Sequence, residues 1–474
     1  MVTEKDLPIQ VKLQSNGQEI ILLKKFASGG EGFICSIKGN NHFVVKIYTK
    51  SVPYEKLKVM LLNKPLDPMA SQNHTSIAWP EDIVLDTSGK PIGYLMPKAG
   101  AKEASNERLF TLNKLLLPLE RKKELPDFSY KDIAIVAYNF CLAVQALHAT
   151  GYIIGDLNES NALITDDAFV TLIDTDSFQV KSGMEVFRCT VGKAEYTSQE
   201  LQGKRFDQVD RSIEHDNFSL AVLVFQLLMN GWHPFSGKYL GTTDQPSLIE
   251  RIKTGTCPFF QYYPDWTLPP ASPSISLLPP KILTLFKLCF VDGHSLPQKR
   301  PNAAEWVSQL YEMNETLAAC SVNTLHYYGN HMTDCPWCKL SLRNASEPFL
   351  LADASRRGTG QIKRERPSLP TNMVSARRQV FNSSILGKKQ VLTTISSEDI
   401  ATFITQTSLF TLGFGFIFWF YRRLAINFAP ELQNWLLTYP LFEISNLAQL
   451  HKYLLANGVF IVLVCIALFF RFKK

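Results

Sequence analysis

Short apolar segments in the first fifty residues predict β-strands rather than helices. Two of them, 9–13 and 19–23, flank Ser15-Asn16-Gly17, and an Asn-Gly pair between two such segments predicts a hairpin. The segment Val44–Tyr48 predicts a further strand, which is buried although it carries one charge, that of Lys46.

Apolar positions then recur at helical spacing in three places. A helix is predicted over 54–63, a longer one over 133–148 that ends before Gly151, and a strongly apolar one over 220–229. Glycine after the last helical turn is a common helix terminator. Between the first two helices, the segment 83–96 predicts another hairpin.

Composition favours a large intracellular protein. The chain has 474 residues and 46% hydrophobic residues, enough for two or three domains with a sizeable core. Its formal charge of +6 is modest for this length and disfavours a uniformly basic nucleic-acid binder. The N-terminus has no apolar segment of the secretory type, so we expect most of the chain to be cytosolic.

The stretch 153–176 carries two carboxylates and an amide, Asp156, Asn161 and Asp174, each close to apolar β-type residues. We expect them on loops at strand ends, where they can hold a hydroxyl and a divalent metal beside a phosphate. The stretch resembles the catalytic and metal-binding loops of protein kinases. The resemblance implies that Asp156 is the catalytic aspartate, and that Asn161 and Asp174 bind Mg²⁺ or Mn²⁺.

A glycine cluster with Gly29, Gly30 and Gly32 precedes the strand of Lys46. Taken alone, the cluster is equally typical of a plain hairpin turn, and a strand lysine is often only an edge charge. Together they resemble the glycine-rich loop and third-strand lysine of kinases, which bind the phosphates of ATP. Ala27 stands where the family has its first glycine.

Later residues extend the resemblance over about residues 10 to 315. Glu55 is the implied helix partner of Lys46, with a solvated surface glutamate as the alternative. Asp216 matches an aspartate that caps the catalytic loop, and Arg300 matches an arginine that pairs with Glu200.

Three residues depart from the family. Gly155 replaces the arginine before the catalytic aspartate, Asn158 replaces a lysine near the transferred phosphate, and Thr175 replaces the phenylalanine after Asp174. We therefore expect no obligate activation by phosphorylation and a slowed transfer. A pseudokinase that binds nucleotide and acts as a signalling scaffold is the alternative function, and a small-molecule kinase is a third.

A cluster of cysteine and histidine lies between positions 320 and 338. Two thiolates in Cys-Pro-Trp-Cys, a distant cysteine and one histidine can complete a tetrahedral zinc site, whereas a redox pair would need no further ligands. We expect structural Zn²⁺. The predicted ligands are Cys320, His326, Cys335 and Cys338, with His331 as the alternative histidine.

The C-terminal part is basic and then apolar. Residues 343–400 predict a disordered basic linker. Two apolar segments, 403–421 and 454–470, are nearly long enough to span a membrane, and buried core helices are the alternative. Nucleic-acid binding by the linker is disfavoured because no fold signature accompanies the charge.

The resemblance implies an α+β, bilobal protein kinase-like fold. The predicted parts are an N-lobe (1–98), a C-lobe (99–315), a zinc module (316–342), the linker (343–400) and a membrane hairpin (401–474). We expect an ATP-dependent kinase for serine and threonine hydroxyls of proteins, tethered to the bacterial inner membrane with its kinase-like domain in the cytoplasm.

A divergent bacterial subfamily with Gly-Asp-x-Asn and Asp-Thr-Asp signatures and a cysteine-rich tail is most similar. Some of its members are described as DNA-binding proteins with a kinase domain. That resemblance also implies a partner phosphatase and a von Willebrand-type protein.

Overall fold

The computed structural model describes residues 3–101, 108–344 and 347–350. The two apolar segments near the C-terminus and nearly all of the basic linker lie outside these residues. The predicted membrane hairpin and the predicted linker therefore stay predictions.

The N-terminal sheet consists of six antiparallel strands that close on themselves in the order β1-β2-β3-β4-β7-β6. Alternate side chains of these strands point inward, and Val11, Leu22, Cys35, Val45 and Val84 form their shared core. The strands are β1 (Ile9–Leu13), β2 (Glu19–Ser28), β3 (Gly32–Ile37), β4 (Asn40–Tyr48), β6 (Asp82–Leu85) and β7 (Pro91–Pro97), and the short β5 (His74–Thr75) pairs outside this sheet with β8 (Gly100–Ala101).

Both predicted hairpins are confirmed. β1 and β2 pair antiparallel, with Lys12 opposite Glu19 and Gly17 at a positive φ in the turn. β6 and β7 pair antiparallel as well. The first predicted helix is α1 (Tyr54–Leu62), which follows β4 directly.

Helices dominate the chain after residue 112. Ser129 accepts the backbone N–H of Asp132 at the start of the longest helix, α4, and Gly151 follows its end at a φ of +83°. The helices are α2 (Leu112–Leu116), α3 (Pro118–Glu124), α4 (Tyr130–Ala149), α5 (Ile213–Leu228), α6 (Leu248–Thr254), α7 (Pro280–Lys287), α8 (Gly293–Ser295), α9 (Ala303–Thr316) and α10 (Pro336–Asn344).

Helix α4 is the centre of this helical part and packs against α5 and α9. Among the described residues it is the one helix long and apolar enough to cross a membrane. Most of it is buried inside the protein, however, which is the environment of a core helix.

A small sheet carries the polar stretch that the sequence singles out. Its strands are β9 (Leu109–Thr111), β10 (Ala162–Thr165) and β11 (Val170–Leu172), in the order β11-β10-β9. Asp156 and Asn161 precede β10, and Asp174 follows β11. Because β10 and β11 form a hairpin, both ends of the stretch return to the same edge.

The remaining strands form two-stranded antiparallel sheets. They are β12 (Val180–Ser182) with β13 (Glu185–Phe187), β14 (Lys238–Tyr239) with β15 (Trp266–Thr267), and β16 (Leu317–Ala319) with β17 (Tyr327–Gly329). The described part is thus a closed sheet followed by a mainly helical region. Its assignment to the kinase-like class and the predicted domain boundaries stay predictions.

Candidate active site

The buried carboxylate of Asp216 holds the backbone of the Asp156 loop (residues 153–161). Asp216, in the first turn of α5, accepts hydrogen bonds from the backbone N–H groups of Ile154 (2.7 Å) and Gly155 (2.8 Å). His148, near the end of α4, lies 3.0 Å from the same carboxylate. Helix α5 therefore holds this loop directly, and α4 contributes through His148.

Asp156 itself is held by two amide side chains. Asn158 donates to its Oδ1 at 2.7 Å, and Asn161 donates to its Oδ2 at 3.0 Å. Burial raises the pKa of Asp156, and these two hydrogen bonds offset part of that rise. Electrostatic contributions from Arg211 and Lys193 also lower this pKa.

Asp174 lies beside the Asp156 loop and meets the lysine of the N-terminal sheet. The backbone N–H of Ile173 donates to the carbonyl of Asn161 (3.0 Å), which joins the two ends of the stretch. Asp174 has a left-handed backbone (φ 59°), and its side chain is half exposed. Its carboxylate accepts a hydrogen bond from Lys46 Nζ at 2.7 Å.

The main partner of Lys46 is a residue to which the sequence analysis gave no role. Asp176 accepts from Lys46 Nζ at 2.7 and 2.8 Å, from the hydroxyl of Tyr48 at 2.5 Å and from that of Tyr94 at 2.9 Å. Burial lowers the pKa of Lys46, but attraction by Asp176 and Asp174 outweighs it, and the net direction is upward. The sequence held two signals for this contact: the second acid of Asp-Thr-Asp, and a tyrosine two residues after Lys46 on the same face of β4.

Glu55 does not meet Lys46, contrary to what the resemblance implies. Its side chain is 65% exposed and pairs with Lys58, one turn along α1, at 2.6 Å. Among the buried residues of α1, which are Lys56, Leu57 and Met60, the charged one is Lys56. Burial lowers the pKa of Lys56, while attraction by Asp176 and other anions opposes the change.

The three predicted glycines differ in whether the surrounding packing excludes a side chain. A Cβ on Gly32 would lie 2.1 Å from the carbonyl oxygen of Ile47, so the approach of β3 to β4 excludes any side chain there. Gly29 and Gly30 face open space, and Gly29 N–H closes a tight turn onto the Gly32 carbonyl at 2.9 Å. The protein's own packing does not require the latter two.

The three departures from the kinase pattern are all accommodated by specific contacts. Gly155 has a φ of +74°, and a Cβ there would lie 2.6 Å from Nη1 of the buried Arg211. Asn158 is buried against Asp156, and the Thr175 hydroxyl donates to the carbonyl of Ala78 at 2.8 Å.

Arg211 also holds the chain that follows the Asp-Thr-Asp turn. Its Nη2 donates to the carbonyl of Val191 at 2.5 Å, and its guanidinium stacks over Phe206. Further on, Arg300 donates two hydrogen bonds to Glu200, at 2.6 and 2.9 Å, as predicted. Burial raises the pKa of Glu200, but Arg300 outweighs that effect and lowers it.

A second cluster, of three cysteines and one histidine, forms between β16 and α10. The ligand atoms of Cys320, His326, Cys335 and Cys338 all lie within 4.8 Å of one another. Cys320 Sγ and Cys338 Sγ are 3.6 Å apart, and His326 Nδ1 is 3.6 Å from both Cys335 Sγ and Cys338 Sγ. A tetrahedron with zinc–sulfur bonds of about 2.3 Å has edges of about 3.8 Å, so this donor set fits zinc.

The other ring nitrogen of His326 lies 2.7 Å from Glu347 Oε1, which orients the ring toward the sulfurs. His331, the alternative ligand, instead lies on the carbonyl of Ser276 at 3.0 Å. The structure therefore brings His326 and not His331 to the cysteines.

No family model matches this chain. Two curated proteins are similar to it, both named "Protein kinase YegI". The one from Escherichia coli strain K12 is 32% identical over 334 residues, which are 69% of this chain and 49% of that protein. The one from Escherichia coli O157:H7 is 32% identical over 326 residues, 67% and 48% of the two chains. The chain thus spans about half the length of the curated relatives it matches, and the similarity supports a bacterial protein kinase-like family.

Proposed function

We propose that this chain is an ATP-dependent protein kinase of bilobal kinase-like fold, which transfers the γ-phosphoryl group to serine or threonine hydroxyls of a protein. The premise is its similarity to bacterial proteins named as protein kinases. The observation that carries the proposal is the ion pair of Lys46 with Asp174, residues 128 positions apart, directly beside Asp156 and Asn161. The fold brings these four side chains together from separate parts of the chain.

In this proposal, the chain's own residues mainly position the reactants and stabilise charge. Lys46 and the turn of Gly29 and Gly30 hold the phosphates of ATP. Asp156 orients the substrate hydroxyl and accepts its proton, and its raised pKa makes it a better base than an exposed aspartate. Lys193, whose Nζ lies 2.7 Å from Glu159, adds positive charge near Asp156 in the absence of a lysine at position 158.

Asn161 and Asp174 offer the oxygen ligands that Mg²⁺ prefers, and we propose that they hold it. Bound there, Mg²⁺ would neutralise phosphate charge. Cys320, His326, Cys335 and Cys338 would hold a structural Zn²⁺, because four protein ligands leave no open position for substrate.

One observation favours the alternative, a pseudokinase that binds nucleotide without transfer. Each carboxylate oxygen of Asp156 already accepts a hydrogen bond from an amide, which leaves fewer lone pairs for a substrate hydroxyl. A small-molecule kinase would share the whole site and differ only in the acceptor.

Incubation of the full chain with labelled ATP, Mg²⁺ and a generic protein substrate tests the proposal. We expect transfer onto serine or threonine, and a loss of about a thousandfold in Asp156→Asn, since general-base catalysis contributes 10²–10⁴. Asp244→Asn, which neutralises an exposed aspartate, is the matched control. Binding of ATP with no transfer to any acceptor would instead support the pseudokinase.

A further inference from the structure

The carboxylate of Asp176 is built into the protein more completely than that of Asp174. Asp176 is 3% exposed and accepts hydrogen bonds from Lys46, Tyr48 and Tyr94. A buried carboxylate with this many donors is held in one orientation. The side chain of Asp174, at 48% exposure, is open to solvent.

Helix α1 supplies no carboxylate to this cluster. Glu55 pairs with Lys58 on the outer side, and the residue that α1 buries toward the cluster is Lys56, which feels the charges of both Asp176 and Lys46. A lysine there repels Lys46 instead of pairing with it. Movement of α1 toward the sheet would therefore bring a like charge, and no counter-ion, to Lys46.

The turn that carries Asp176 is anchored on Ala78, whose neighbour Trp79 donates to the carbonyl of Met60 in α1 at 3.0 Å, so α1 supports this turn through its backbone and not through a carboxylate. The hydroxyl of Thr175 donates to the Ala78 carbonyl, and the backbone of Ala78 donates to the carbonyl of Leu172 at 2.9 Å. Tyr48 and Tyr94 belong to β4 and β7, neighbours in the N-terminal sheet. Asp176 thus links the closed N-terminal sheet, through Tyr48 of β4 and Tyr94 of β7, to the turn that follows β11 of the small sheet.

We propose that Asp176, and no residue of helix α1, is the positioning residue that holds Lys46 for the phosphates of ATP. This inference rests on the proposed function. It implies that α1 does not switch this kinase by delivering or withdrawing a counter-ion, since the one carboxylate of this helix pairs with Lys58. Asp174 then remains available to the metal.

The test compares three substitutions that each remove one negative charge in the full chain: Asp176→Asn, Glu55→Gln and Asp244→Asn. The readouts are the KM for ATP, kcat, and the Kd for a non-hydrolysable ATP analogue with Mg²⁺. We expect Asp176→Asn to raise KM and Kd at least tenfold, with a smaller fall in kcat. Glu55→Gln and Asp244→Asn should stay within about twofold of the wild type. A Glu55→Gln variant as impaired as Asp176→Asn, or an Asp176→Asn variant with unchanged affinity for ATP, would overturn the inference.

Tyr48→Phe guards against a failure of Asp176→Asn to fold. It removes one hydrogen bond to Asp176 and retains every charge, so we expect a rise of about threefold in the Kd for the analogue, and no rise counts against the inference. The binding readout also separates the two proposals. Wild-type binding without transfer, with Asp176→Asn impaired, refutes the kinase and retains the role of Asp176. If the wild type binds no ATP, crystal structures of the Asp176→Asn and Glu55→Gln variants decide, since Lys46 should be displaced in the first and unmoved in the second.

Discussion

At the scale of single residues, the space that one residue of the site leaves free is filled by the side chain of another. Gly155 lacks the side chain that the kinase resemblance would place there, and the guanidinium of Arg211 occupies the space beside it. This arginine donates a hydrogen bond to the Val191 carbonyl and so holds the segment after Asp176 through the chain's own backbone. The contact gives a physical reason for the expectation that activation by phosphorylation is not obligatory.

Gly155→Ala should therefore destabilise the protein through two effects. A left-handed backbone costs a non-glycine residue about 1 kcal/mol, and the new Cβ would also collide with Arg211 and with Cys189, each under 3 Å away. We expect a total loss of about 3 kcal/mol in the free energy of unfolding, measured by urea denaturation.

Gly183→Ala is the matched control for this prediction. Gly183 also has a positive φ, of +59°, but a Cβ there meets nothing within 4 Å. It should lose only about 1 kcal/mol, the backbone cost alone. Equal losses in the two variants would show that the collision with Arg211 is relieved without cost.

At the scale of elements, hydrogen bonds from the helical part hold the segment between Asp176 and α5. Arg300 holds Glu200, and His233, after α5, contacts the carbonyl of Glu195 at 3.0 Å. The other ring nitrogen of His233 accepts the backbone N–H of Phe235. A ring that donates on one side and accepts on the other must be neutral.

His233 should make folding stability depend on pH. Burial lowers the pKa of His233 from the usual histidine value of 6.5 to about 4. The unfolded chain therefore binds a proton below pH 6.5 that the folded chain refuses until about pH 4, and stability falls as pH decreases through this window. The maximum loss is about 3 kcal/mol, at 1.36 kcal/mol per pKa unit.

Thermal or urea unfolding of the wild type and His233→Gln between pH 7 and pH 4 measures this contribution. Because the glutamine side chain does not titrate, the variant should lose less stability over the window, even if it starts from a lower value. Parallel curves for the two proteins would contradict the assignment to His233.

At the scale of the whole described molecule, the Cys/His cluster is tied to the helical part. Trp337, between two of the cysteines, packs against Tyr130 at the start of α4 and donates to the carbonyl of Tyr327. Arg121 of α3, fully buried, donates to the Pro348 carbonyl and stacks on Phe349. A metal held by this cluster would therefore also stabilise contacts outside its own ligands.

Removal of zinc should lower the thermal stability of the folded protein. We expect one zinc per chain by elemental analysis, and a decrease of about 5 °C or more in Tm with a strong chelator, since metal binding contributes directly to folding. Cys335→Ser should show the lower Tm without chelator and little further change with it. A chelator effect of equal size in this variant would place the metal elsewhere.

Local sequence was sufficient for the elements and for several site residues. The Asn-Gly turn, the helical spacing of α1 and α4, and the rhythm of Asp156, Asn161 and Asp174 are properties of neighbouring residues, and each lies where its pattern predicts. The two cysteines of Cys-Pro-Trp-Cys are likewise separated by only two residues on one turn. Such features depend on backbone geometry over a few positions, which a sequence displays directly.

The sequence did not determine every long-range charge pair: the kinase resemblance gave Arg300 with Glu200, which the structure also contains, but it did not give Lys46 with Asp176. It offered Glu55 as the partner of Lys46, whereas the structure pairs Lys46 with Asp176, because helix α1 turns Glu55 to solvent and buries Lys56. It left His326 and His331 open, and the tertiary structure brings only His326 to the sulfurs. Pairing across more than a hundred positions depends on how sheets and helices pack, and that is decided by the whole chain and not by any local pattern.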